Sequence, residues 1–146
     1  MRLVMFLALV MATPVLADSP KAPPKPTDQE QLIGLWVLTS IETDVGQASG
    51  AQLNRIKLAM TGRTCLITTD QPVSSTYTID PTRPVKTIDM FALDGPNKST
   101  FTRCIYELNA DTLRLCQGQV GAERPAAFPA KPTPGLFVSV FKRVVP

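Results

Sequence analysis

The sequence contains no histidine. That absence removes His-based catalytic triads, the usual acid–base side chain near neutral pH and the commonest zinc ligand together. Cysteine is scarce and odd in number: Cys65, Cys104 and Cys116 allow at most one intramolecular disulfide and leave a thiol over. No Cys-x-x-Cys pair or His partner is present to lower a thiol pKa. Charge is also thin. A net charge of +3 on 146 residues, with basic side chains scattered singly apart from Lys142-Arg143, lacks the basic stripe of a nucleic-acid binder. No Asp-x-Asp-x-Asp spacing marks a calcium loop. Neither a catalytic, a cofactor-binding nor a metal motif is found. The one enzymatic alternative is a carboxylate-based hydrolase, whose acid pair would be defined in space rather than in sequence.

What is present begins with an export signal. Met1-Arg2 supplies a positive start, Leu3 to Met11 is apolar, and Val15-Leu16-Ala17 provides a peptidase site, so residues 1–17 read as a signal peptide cleaved after Ala17. The apolar run is far shorter than the roughly 20 residues that cross a bilayer. No Cys near the cleavage site offers a lipid acceptor, and no membrane span is expected after cleavage. Loss of Arg2 lowers the net charge to +2, and the expected location is secreted or periplasmic. Residues 18–28 hold Pro20, Pro23, Pro24 and Pro26 and read as an extended spacer. Residues 29–146 are the size of one domain.

Within that domain the apolar period is two. Ile56, Leu58 and Met60 alternate with Arg55, Lys57 and Ala59, and Phe137, Ser139, Phe141 and Arg143 alternate with Val138, Val140 and Lys142. Together with strands over Leu35 to Glu42 and near 64–69, 75–79, 84–90, 101–108 and 112–117, these make eight. The fold expected is all-β: a single up-and-down eight-stranded barrel, which leaves no open sheet edge. A short helical turn over Gln29 to Leu35, with Asp28 as its cap, precedes it. Gly34-Leu35-Trp36 opens the first strand and Phe141-Lys142-Arg143 closes the last. This bracket resembles the closure of lipocalin-like barrels, with Trp36 and Arg143 in phase to stack at one end. The bulky side chains expected in the lumen are Ile56, Leu58, Met60, Tyr106, Leu113, Leu115, Phe137 and Phe141. Glu42 shares the phase of Trp36, and the reading preferred for it is a solvated residue beyond the strand.

Three further segments carry a resemblance. Asp80-Pro81-Thr82-Arg83-Pro84-Val85-Lys86-Thr87-Ile88-Asp89, then Ile105-Tyr106-Glu107-Leu108 with Asp111-Thr112-Leu113 and Cys116, then Arg124-Pro125-Ala126-Ala127-Phe128 look like successive signatures of one family. The chain resembles, from about Leu32 to Arg143, a planctomycete-type family of small exported lipocalin-like (calycin-like) domains. The resemblance implies the fold and export, and no activity or site residue. Two departures stand out, Cys104 and Ala110, where the family usually has Gly. Alanine resists the positive φ of a type I′ turn, so the hairpin register stays open between two readings. A two-residue loop at Asn109-Ala110 sets Tyr106 opposite Leu113 and Cys104 opposite Leu115. A three-residue loop sets Cys104 opposite Cys116 and makes that pair the candidate disulfide. Asp80, Asp89 and Asp94 flank turns and are expected to serve them.

Two functions fit a non-enzymatic barrel without cofactor. In one, the lumen is filled and the outside mediates an envelope or extracellular interaction. In the other, the lumen binds a small apolar or amphipathic ligand.

Overall fold

The computed structural model describes residues 21–145. The expected signal peptide, the first residues of the proline-rich segment and the last residue lie outside that range. A helical turn, α1 (Asp28–Leu32), precedes nine strands: β1 (Gly34–Thr43), β2 (Gly46–Ser49), β3 (Lys57–Met60), β4 (Thr64–Thr68), β5 (Val73–Asp80), β6 (Thr87–Ala92), β7 (Phe101–Asn109), β8 (Thr112–Gln117) and β9 (Phe137–Arg143). Eight of them form a single closed antiparallel barrel in the order β1-β3-β4-β5-β6-β7-β8-β9, with β9 returning to β1. The ninth, β2, pairs only with the far half of β1 as an exposed hairpin arm.

The barrel exists because each strand alternates, and the inward residues meet as one cluster. Leu58, Met60, Tyr106, Leu113, Leu115 and Phe141 all belong to it, and Ile56 packs against it partly buried. Phe137 does not join the cluster. It sits half-buried at the start of β9, opposite Gln117.

Local chemistry moves several boundaries from where the alternation puts them. Asn54 and Arg55 are not strand but part of a 3₁₀ turn, Leu53–Arg55, closed by the Ile56 N–H donating to Leu53 O at 2.9 Å. The turn is needed because β2 and β3 lie on the same side of β1, so the chain must step off the sheet between them. The segment Pro84-Val85-Lys86 also stays outside β6, which begins at Thr87. Proline has no N–H to give a ladder. The cap of α1 is Thr27 rather than Asp28: its hydroxyl accepts from Glu30 N–H at 3.3 Å, and the Glu30 carboxylate accepts from Thr27 N–H at 2.7 Å.

A register shift between Leu38 and Ser40 marks a bulge in β1, with the Thr39 hydroxyl bonded to Val140 O at 3.0 Å. The bulge reverses the phase of everything after it. Trp36 and Leu38 face inward, but Glu42 pairs with Val138 on the outside of the barrel, away from the lumen.

The β7–β8 hairpin follows neither register read from the sequence. Its loop is Ala110-Asp111, which sets Tyr106 opposite Leu115, Leu108 opposite Leu113 and Cys104 opposite Gln117. Inward and outward faces match the two-residue reading, but the pairing is displaced. Asp111 explains the displacement, since in the loop its carbonyl accepts the Arg143 N–H at 2.9 Å and its carboxylate lies 3.6 Å from Arg143 Nε. Ala110 then takes a φ of 44°, a conformation that costs an L-residue roughly 1–2 kcal/mol. Ala110→Gly is therefore expected to stabilise the domain by about 0.5 kcal/mol or more, net of glycine's larger unfolded-state entropy. The urea midpoint checks it, and a lower midpoint would count against a strained loop.

Candidate functional site

One end of the barrel is closed by α1, and the residues that hold it converge from both ends of the domain. The Arg143 guanidinium stacks on the Trp36 ring, 4.2 Å from its centroid, as the bracket in the sequence suggests. The same guanidinium donates to Ile33 O at 3.0 Å and to Gln31 O, tying the end of α1 to β9. The fully buried Trp36 donates its indole N–H to Leu32 O at 2.9 Å. Gly34 has a φ of 140°, and a Cβ there would lie 3.0 Å from Arg143 Nη1, so backbone shape and space both call for glycine.

On the opposite side of α1, Asp28 accepts from the Tyr106 hydroxyl at 2.7 Å and from Lys86 Nζ at 2.8 Å. Burial works to raise the Asp28 pKa. The hydrogen bonds from Lys86 and Tyr106, with the Lys86 charge, outweigh it and hold the carboxyl below its usual range. Burial and the Asp28 carboxylate push the Tyr106 phenol well up, so it stays a donor. Gln29 completes the ring by donating to Gly62 O at 2.8 Å and to the Tyr77 hydroxyl at 2.7 Å.

Behind this lid the lumen is occupied by protein. Leu32, Leu38, Cys65, Tyr77, Ile88, Met90 and Cys104 fill it alongside the side chains named from the sequence. Among the inward positions farther from α1, some are small. Ser75, Ala92 and Ser139 face inward there by register.

All three thiols are free and buried. The cross-strand disulfide Cys104–Cys116 is not formed, because Cys104 faces the lumen opposite Gln117 whereas Cys116 faces outward opposite Ile105. Cys65 shares the lumen with Cys104 but sits on β4, with β5 and β6 between them. Three strand spacings amount to roughly 14 Å along the sheet, beyond the ~7 Å Cα separation that a disulfide spans. Burial raises the pKa to about 11 for Cys65 and about 12 for Cys104, and raises that of Cys116 as well.

The outer wall carries a second apolar cluster. The long β8–β9 connection folds back so that Phe128 and Leu136, with Val85, cover Ile105, Cys116 and Val138. Arg124 pins this strap: its guanidinium nitrogens lie 2.6 and 2.9 Å from the two Asp89 oxygens, the shorter contact ionic rather than along an N–H direction. It also donates to Cys104 O at 2.9 Å. Asp80 accepts from Thr82 and pairs with Arg83 at 2.9 Å, and Asp94 accepts from Ser74 N–H at 2.8 Å. These two carboxylates serve turns as expected, whereas Asp89 serves the strap. Among the described residues no group of three or more His, Cys, Asp or Glu side chains could hold a metal.

Beside Val85 the strap leaves a groove of 440 Å³ lined by Pro84, Lys86, Tyr106, Leu108 and Phe128. Its two charged lining residues are already paired, Lys86 with Asp28 and Glu107 with Arg114, and Arg114 covers the Phe128 ring at 4.6 Å. Nothing in the sequence announces this groove, since the strap and Pro84 meet only in the fold.

The architecture is that of a calycin-like closed β-barrel. No family model matches the chain, and neither a curated protein nor a solved structure matches it.

Trp36→Ala should cost about 3–5 kcal/mol as a large truncation in a packed core. A loss below about 1 kcal/mol in a urea titration, typical of surface changes, would show that the closure stack is incidental. Asp28→Asn should cost about 1.5–3 kcal/mol at neutral pH, the scale of hydrogen bonds to a charged group. The folded-state pKa of Asp28 lies below its ordinary 3.8, so its contribution is full above that value and lost as pH falls through the folded pKa. The gap between wild type and variant should close in that acid window. Iodoacetamide should add nothing to the native protein at neutral pH and three adducts after denaturation without reductant. Fewer than three would reveal a disulfide.

Proposed function

We propose that this chain is an exported, non-enzymatic lipocalin-like module that works through its outer surface. One observation carries the reading: Trp36, Tyr106, Leu113, Leu115 and Phe141 pack with their neighbours into one cluster where a lumen ligand would sit. A small barrel of this kind encloses room for side chains or one small ligand, not both. The resemblance to the planctomycete-type exported family and the signal-like residues 1–17 support an extracytoplasmic setting, in which an envelope or extracellular protein is the partner expected. No charged stripe favours a nucleic acid.

A second reading rests on the smaller inward residues Ser75, Ala92 and Ser139, which would admit a small apolar molecule at the end away from α1. Titration with a fluorescent fatty-acid analogue separates the two. The outer-surface reading expects no saturable change in probe or Trp36 emission at micromolar concentrations. Saturable one-to-one binding would replace it with the lumen reading. For export, intact mass of the protein recovered outside the cytoplasm should correspond to a chain starting at Asp18, and retention of residues 1–17 would refute the cleavage.

A further inference from the structure

The edge of β7 is open at one point. Along this strand the even-numbered residues turn their backbone groups toward β6: Tyr106 N–H donates to Lys86 O at 2.9 Å, the last rung of that ladder. The next rung would join Leu108 to Pro84. It is absent, because proline brings no N–H and the chain has turned away by that point. The β8 side cannot serve Leu108 either, since odd-numbered residues such as Asn109 and Glu107 face that strand. Among the described residues the Leu108 N–H and the Tyr106 and Leu108 carbonyls therefore have no hydrogen-bond partner.

These groups lie along the 440 Å³ groove, whose lining includes Tyr106 and Leu108 from the open edge, with Pro84 and Val85 on one side and Phe128 on the other. An unpaired strand edge beside an apolar groove is the arrangement that takes up an added strand.

Resting on the outer-surface reading above, we infer that the Leu108 edge is a strand-addition site for an extended, uncharged peptide segment of a partner protein. The segment's carbonyl accepts the Leu108 N–H, and its own N–H groups donate to the Leu108 and Tyr106 carbonyls. An apolar side chain of the segment lies against Val85 and Phe128. Charge decides the class of segment. The two charged residues that line the groove, Lys86 and Glu107, are engaged by Asp28 and Arg114, so the groove offers no free ion for an acidic or basic motif. Its short length limits the added strand to two or three residues, which suits a transient contact.

The test is a titration of the ¹⁵N-labelled full-length mature protein with an acetylated, amidated hexapeptide of alternating threonine and valine. Binding should shift the Leu108, Tyr106 and Val85 amides and slow hydrogen exchange at Leu108. The same peptide N-methylated at alternate residues keeps its side chains but loses edge pairing, and should bind about tenfold more weakly, as expected for one or two lost hydrogen bonds. Ala127→Trp, at an exposed position lining the groove, should abolish the shifts with the barrel spectrum unchanged. Equal binding of the methylated peptide, or no shift near Leu108 at millimolar peptide, overturns the strand-addition site alone. Shifts confined to lumen residues such as Leu58 and Leu113 overturn the outer-surface reading as well.

Discussion

The stack of the Arg143 guanidinium on the Trp36 indole is the contact on which the rest of this barrel depends. A charge brought this close to a core is tolerated only when its donors are used. Here two are spent on the carbonyls of Gln31 and Ile33 at the helical turn, and the charge is further balanced by the Asp111 carboxylate in the β7–β8 loop, 3.6 Å from Nε. One side chain thus fixes the lid, the strand that closes the sheet and the loop of a distant hairpin. The glycine at position 34 and the strained φ of Ala110 are both consequences of making room for it or delivering a partner to it. The stack itself is worth about 0.5–2 kcal/mol, but the geometry it imposes reaches much further than that figure.

The lid shows how a barrel end is sealed with few residues. A five-residue helix is too short to be stable alone, so it is held by its surroundings. Thr27 and Glu30 cap its start, Leu32 drops fully buried into the core, and Asp28 and Gln29 reach the hydroxyls of Tyr106 and Tyr77. The two tyrosines rise from the lumen with their rings in the apolar cluster and their hydroxyls among the polar groups of the lid. Polar and apolar demands are met by the same side chains.

Much of this was legible in the sequence where it depended on periodicity. The inward row of Leu58 and Met60 and the inward face of Leu113 and Leu115 follow from alternation, and the Trp36–Arg143 bracket follows from a resemblance to lipocalin-like closure that the phase of the two residues supports. What escaped depends on contacts between distant positions or on backbone irregularity. The strand β2 has no apolar alternation to reveal it, since all four of its residues are exposed. The bulge at Thr39 leaves no compositional mark, yet it decides that Glu42 faces outward. Composition places Asp28 at the end of the spacer and as a helix cap, but its hydrogen bond crosses 78 positions to Tyr106. The apolar pattern near 84–90 places Pro84 in a strand, but β6 begins at Thr87 and the missing proline N–H leaves the groove open. The Cys104–Cys116 pairing requires a three-residue loop, which the Ala110 conformation favours and the apolar alternation opposes; the contacts of Asp111 with Arg143 set a two-residue loop instead.

Because Arg143 and the Ile33 carbonyl it grips are 110 positions apart, closure is among the most non-local events the chain can undergo. Such contacts form late, after the entropy of a long loop has been lost. As the chain is synthesised, everything through β8 can exist only as an open, curling sheet with an unclamped lid, because β9 supplies the seam. The barrel is therefore held back from its final shape until its last strand is available. Under the export proposed above, that delay is an asset: the same residue that makes the finished barrel rigid keeps the unfinished one pliable.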